Sequence, residues 1–117
     1  MSHIYYFIGF EIENTSLNKK DNVSKISIII DYQIKSFSRL FSYCECIESI
    51  KFKKFYRNNV TNMSGMFSGC SSLKELNLIN FNTSNVTDMY GMLSGCSDDL
   101  KMKIRSENKN LKDKAFV

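Results

Sequence analysis

Proline and tryptophan are both absent, histidine occurs once, and only five of the 117 residues are glycine. Without proline there is no polyproline segment, and so few glycines leave no room for a collagen-like or glycine-rich linker chain. The single histidine, His3, sits close to the start. A cysteine–histidine zinc tetrad and a histidine-based nucleophile pair therefore both lack their parts, so the sequence reads as non-enzymatic, with no catalytic, cofactor or metal residues. No apolar run approaches the roughly 20 residues that span a bilayer. The opening stretch MSHIYYFIGFEIE lacks a basic n-region and a small-residue cleavage site, so it reads as structure and not as a signal peptide. On that reading the chain is intracellular as it stands, or a fragment that has lost its leader. What remains is an ordinary apolar fraction, abundant aromatics and a formal net charge of +4. This describes one modest folded domain with a mild preference for acidic partners.

The organising stretch is NVTNMSGMFSGCSSLKELNLINF, from Asn59 to Phe81. Shifted 26 positions either way, it meets a worn copy of itself. Five apolar columns share that spacing: Ile34, Val60, Val86; Phe37, Met63, Met89; Leu40, Met66, Met92; Phe41, Phe67, Leu93; and Cys44, Cys70, Cys96. A period of this length predicts stacked copies that bury a continuous core.

Read in order, Ile4, Tyr6, Ile8, Phe10 and Ile12 alternate with the other positions of residues 3–13, where aromatics and isoleucine dominate, and this predicts a strand. A polar segment over 14–22 reads as a loop, and Val23 to Tyr32 as a second strand. Pairing as a hairpin, the two strands would cap the N-terminal end of the stack. Within a copy, Val60, Met63, Met66 and Phe67 follow steps of three and four, which predicts a short helix capped by Asn59, Thr61 or Ser64. Leu76 and Leu78 then share one face of a short strand, with Glu75, Asn77 and Ile79 on the other. In the tail, a fourth strand with Met102 and Ile104 inward competes with a helix that Ser97 caps. The helix is preferred, because acids open it, bases follow, and Leu100, Ile104, Leu111 and Ala115 would share a face. The expected fold is α/β: a short leucine-rich-repeat-like solenoid, a parallel strand ladder with short helices. It has an N-terminal β-hairpin cap and first rung over 1–33, repeats over 34–96 and a C-terminal helical cap over 97–117.

The pattern N-V-T-x-M-x-x-M-F-x-G-C-S-S-L-K-x-L-N-L-x-x-F-N-T resembles the 26-residue repeat of bacterial surface proteins, also called BspA-type leucine-rich repeats, part of which is described only as a domain of unknown function. The match is specific over Asn59 to Cys96 and degenerate over Ile34 to Tyr56, and residues 1–22 lie outside it. The resemblance implies a solenoid used for binding or adhesion, found on surface proteins and in intracellular proteins of eukaryotic microbes. It offers no catalytic residues to carry over.

Several residue groups could carry chemistry, and each has a plainer reading. Cys44, Cys70 and Cys96 share a column and read as buried free thiols, although a disulfide between stacked copies is geometrically conceivable. The six Asn-x-Ser/Thr sites fall mostly within the repeat, where turn chemistry explains them first. Met63, Met66, Met89 and Met92 read as core, and Gly65, Gly69, Gly91 and Gly95 as turn glycines. Lys51, Lys53, Lys54 and Arg57 alternate with aromatics and read as the solvated side of a strand, so no nucleic acid is expected. For binding, the outward strand face is the candidate. The period stacks Lys25, Lys51 and Asn77 in one column, Ser27, Lys53 and Ile79 in the next, and Ser49 and Glu75 before them. Such a face predicts a protein–protein interaction or adhesion module for an acidic protein or glycan. The alternative is a structural terminal fragment of a longer array with no binding role. Oligomeric state is open.

Overall fold

The computed structural model describes residues 3–8, 25–30, 35–55, 60–78 and 83–117. Four strands form one sheet in chain order: β1 His3–Ile8, β2 Lys25–Ile30, β3 Ser49–Phe55 and β4 Glu75–Leu76. Every pairing is parallel. The expected N-terminal hairpin is thereby corrected: β1 runs alongside β2 in the same direction, from His3 opposite Lys25 to Ile8 opposite Ile30. Alternation predicts a strand but not its direction. Parallel neighbours need a connection of about a dozen residues or more, and residues 9–24 supply that length.

The sheet register also departs from a strict 26-residue period. Between β3 and β4 the shift is as expected, Ser49 opposite Glu75 and Ile50 opposite Leu76. Between β2 and β3, Ile26 instead lies opposite Ile50 and Ile28 opposite Phe52. A slip of two residues preserves which positions share a face, so the apolar register survives it. An irregularity then intervenes: Ile29 lies opposite Lys54, which leaves Lys53 as the extra residue of a bulge.

Across from the strands, the copies are joined by turns. The steps of three and four predict short helices here, yet among the described residues the only helices are in the C-terminal segment. The hydrogen bonding shows why. In 63–70 the even-numbered amides of Met66, Ser68 and Cys70 bond back three residues, to Met63, Gly65 and Phe67. The odd-numbered amides leave the copy altogether: Met63 to Asp88, Gly65 to Tyr90, Phe67 to Met92 and Gly69 to Ser94, at 2.7–3.0 Å. Residues 37–44 repeat the pattern onto Asn62, Ser64, Met66 and Ser68. An α-helix would keep all these bonds within the segment. The turns require left-handed backbone at every fourth residue, with φ of +60° at Gly65 and +77° at Gly69. Glycine adopts this freely, whereas the first copy holds Arg39 and Tyr43 there, at φ of +57° and +59°.

Side chains complete the turns. Asn62 Oδ1 accepts from the Ser64 amide at 2.9 Å and hydroxyl at 2.8 Å. Asp88 and Ser36 do the same for the amides of Tyr90 and Ser38. These are local caps of the kind that favour turns over helix. The capping residue is thus Asn62; Asn59 lies outside the described residues. Thr61 and Thr87 each donate a hydroxyl to the carbonyl one copy earlier, on Lys35 and Thr61.

The apolar columns fill the space between strands and turns. Val60, Met63, Met66, Phe67, Cys70, Leu73, Leu76 and Leu78 are all buried, as are their counterparts from Val86 to Cys96. Leu40 is only partly covered, and Ile34 lies outside the described residues. The Phe41 and Phe67 rings stack with centroids 5.8 Å apart. Helix α1, Asp98–Glu107, starts on Ser97, whose hydroxyl accepts from the Leu100 amide, and it buries Leu100 and Ile104. It is shorter than the tail pattern implies. Asn108 ends it by turning both its amide and its side chain onto the Ile104 carbonyl. Leu111 and Ala115 therefore lie beyond the helix, where the chain folds back through a 3₁₀ turn, Asp113–Phe116, which buries Ala115 and Phe116. There the Lys114 and Ala115 carbonyls accept from the Gly91 and Leu93 amides, both at 2.9 Å. Arg105 clasps the returning tail, 2.8 Å from the Asp113 carboxylate and 4.2 Å over the Phe116 ring.

Candidate functional site

The predicted binding residues separate into distinct positions. Ile50, Leu76 and Leu78 are buried while Lys51, Glu75 and Asn77 are exposed, as strand alternation requires. Ser49 Oγ lies 3.5 Å from Glu75 Oε2, within the outward column. The structure corrects the columns further along. Lys25 lies opposite Ser49, not Lys51; Lys51 lies opposite Ser27; and Lys53 occupies the bulge. Lys25 and Lys51 are therefore diagonal neighbours, roughly 7–8 Å apart by ordinary sheet geometry. Ile79 and Arg57 lie outside the described residues.

The cysteine column is a set of free thiols, buried at Cys44, Cys70 and Cys96 and half-buried at Cys46. Cys70 Sγ donates to the Phe41 carbonyl at 3.0 Å, and Cys96 Sγ to the Phe67 carbonyl at 3.3 Å. The column thus suits cysteine: it is small, apolar and still offers a weak donor across copies. Burial pushes the Cys70 thiol from the ordinary 9.0 up to about 12, helped by the neighbouring Cys96 and Cys44. Burial, then Cys46, raises Cys44 to about 11. Burial also raises Cys96 to about 11, against the opposing pull of Lys101. Nucleophilic cysteines have lowered values, so these three are unreactive in the fold. Native protein should label slowly at all three, and denatured protein at all four cysteines, in a thiol-labelling time course. Rapid native labelling of the column would overturn this. The same shifts set a pH response. The fold prefers the neutral thiol, so the stabilisation is complete below pH 9 and is lost as pH rises through 11–12. The unfolding free energy from urea melts should fall across that window, by at most about 1.4 kcal/mol per pH unit for each thiol.

A groove of about 610 Å³ crosses the turn face, on surface outside the strand columns that the repeat pattern points to. Its lining includes the Gly65 and Gly91 turns, Ser64, and the equivalent serines of the three copies, Ser42, Ser68 and Ser94. Arg39 and Tyr43 stand at one end and Tyr90 at the other. The tyrosines are 72% and 62% exposed, unusual for such large rings. The glycines beside the groove, Gly69 and Gly95, are held by close packing. A Cβ on Gly69 would come within 2.5 Å of the Tyr43 ring, and one on Gly95 within 3.1 Å of the Gly69 amide nitrogen. In the sequence the serines form a polar column at the repeat spacing, which alone distinguishes them from ordinary loop serines.

Among the described residues no group of three or more histidine, cysteine or acidic side chains is placed to hold a metal ion, and no helix is long and apolar enough to cross a membrane. A family model described as "Mycoplasma protein of unknown function, DUF285" matches residues 12–113. No curated protein and no solved structure matches the chain.

Proposed function

The chain belongs to the DUF285 family, and from that premise we propose that it is a non-catalytic interaction module, a short solenoid of the BspA-type leucine-rich-repeat kind that docks an acidic protein or glycan on its strand face. One observation carries this. The outward residues Lys51, Glu75 and Asn77 are exposed, while the inward residues Ile50, Leu76 and Leu78 together with the bonds between copies hold the fold. Such a face can change its side chains without loss of structure, which is how repeat proteins come to bind different partners. Its basic part is the diagonal of Lys25 and Lys51, with Lys53 at the adjoining bulge.

Lys51→Glu combined with Lys53→Glu should leave the melting temperature nearly unchanged, since exposed charges contribute little to stability. The double variant should lose retention on immobilised poly-glutamate and capture of any partner recovered with the parent. Unchanged retention by a stably folded variant would rule out this face. A collapse in stability would mean that the two lysines hold the fold and do not face a partner.

A further inference from the structure

The groove on the turn face offers a set of groups that the described residues leave unused. Ser42, Ser68 and Ser94 are half-buried along its floor, and their hydroxyls have no partner among the described residues. The Arg39 stem packs on the Gly65 turn, and no carboxylate pairs with its guanidinium among the described residues. The one acidic side chain in the lining, Asp88, already caps the Tyr90 amide, and Val117 lines the groove beside it. Tyr43 and Tyr90 hold large exposed rings at the two ends. Between the copies the turn amides are already bonded, while the first copy's Ser38, Leu40 and Ser42 carbonyls accept no bond among the described residues. Between the copies an extended peptide therefore finds no strand edge to join, and Val117 is the one aliphatic side chain in the lining. What remains is hydroxyls in register, aromatic faces and the Arg39 cation, within a volume typical of small-molecule sites, about 300–1,000 Å³.

We propose that this groove binds a carboxylated oligosaccharide. The serine hydroxyls both donate and accept, which matches sugar hydroxyls. They repeat from copy to copy at roughly 4.8 Å, so successive sugars meet the same group. Tyrosine rings supply rigid amphipathic surface at low entropic cost, with the phenol free to hydrogen-bond. Arg39 presents the planar fork that reads a carboxylate through two parallel bonds. The site is separate from the strand face and does not depend on docking there.

Trigalacturonate titrated into the full chain, followed by amide NMR, provides the test. Saturable shifts should appear at Arg39, Ser68 and Tyr90 but not at Lys51 or Glu75. The trimethyl ester of the same sugar should bind at least about tenfold more weakly, the scale of one charge-assisted contact. Arg39→Gln should weaken trigalacturonate by the same factor and leave the ester unaffected. Tyr90→Ala, at an exposed position, should weaken both without changing the melting temperature. Lys51→Glu should change nothing here, so failure of the strand-face reading and failure of this one are separable. Absence of saturable shifts at millimolar sugar, equal binding of triglutamate, or indifference to Arg39→Gln would each overturn the assignment.

Discussion

Phe67→Ala should lower stability by about 3–5 kcal/mol, the range for a fully buried phenylalanine truncated in a packed core. Phe67 has no exposed surface and stacks on Phe41, so its loss removes both the transfer contribution and an aromatic pair. Its amide also ties to the Met92 carbonyl and its own carbonyl accepts from Cys70 and Cys96, so the surrounding backbone has little freedom to collapse into the void. Urea melts measure the effect. Phe67→Leu is the control, because the next copy carries Leu93 in this column, and it should cost less than half as much. A midpoint for Phe67→Ala equal to the parent's would mean that the column does not hold the core.

The second large effect belongs to the tail. Deletion of residues 112–117 removes Phe116 from its buried seat, worth about 1.5–3 kcal/mol. It also strips the carbonyl partners from Gly91 and Leu93, at about 0.5–1.5 kcal/mol for each bond. The expected loss is about 3–6 kcal/mol, with faster hydrogen exchange at the Gly91 and Leu93 amides before any global unfolding. Arg105→Ala should cost far less than the deletion, since its carboxylate partner is almost fully exposed. If the deleted protein kept the parent's midpoint and exchange rates, the returning tail would have no part in closing the core.

The core is legible in the sequence because burial repeats. Phe37, Met63 and Met89 are apolar for the same reason in each copy, and the period displays that reason three times. The turn conformation is not legible from the same residues. Steps of three and four suit one face of a helix, and equally a chain of turns that each close over three residues. Gly65 and Gly69, four apart, carry the distinguishing information, but Arg39 and Tyr43 stand in those columns in the first copy and hide it. Strand direction is invisible at β1, since alternation is the same for parallel and antiparallel neighbours. The strand-face columns slip because a uniform period does not hold across β2, where the true shift is shorter and a bulge intervenes. The groove is hidden for another reason. Serine is ordinary in any one turn, and becomes a site component only once three copies lie side by side.

Within the turns, the bonds between copies point one way. From Phe37 to Asn62, from Met63 to Asp88 and from Gly91 to Lys114, the amide belongs to the earlier segment and the carbonyl to the later. The amides at 61–62 and 87–88, just ahead of the turns, run the other way, but each pair shares a single carbonyl against four separate bonds in the turn behind it. Neighbouring strands of a sheet largely cancel their peptide dipoles, whereas aligned peptide groups in a helix sum to partial charges at its ends. The turn half of this protein therefore behaves electrically as a helix laid across the chain. It has a polar axis from copy to copy, with amide-positive character at the Met89–Gly95 end and carbonyl-negative character at the Ser36–Ser42 end. The Lys114 and Ala115 carbonyls are then counter-charges as well as hydrogen-bond acceptors.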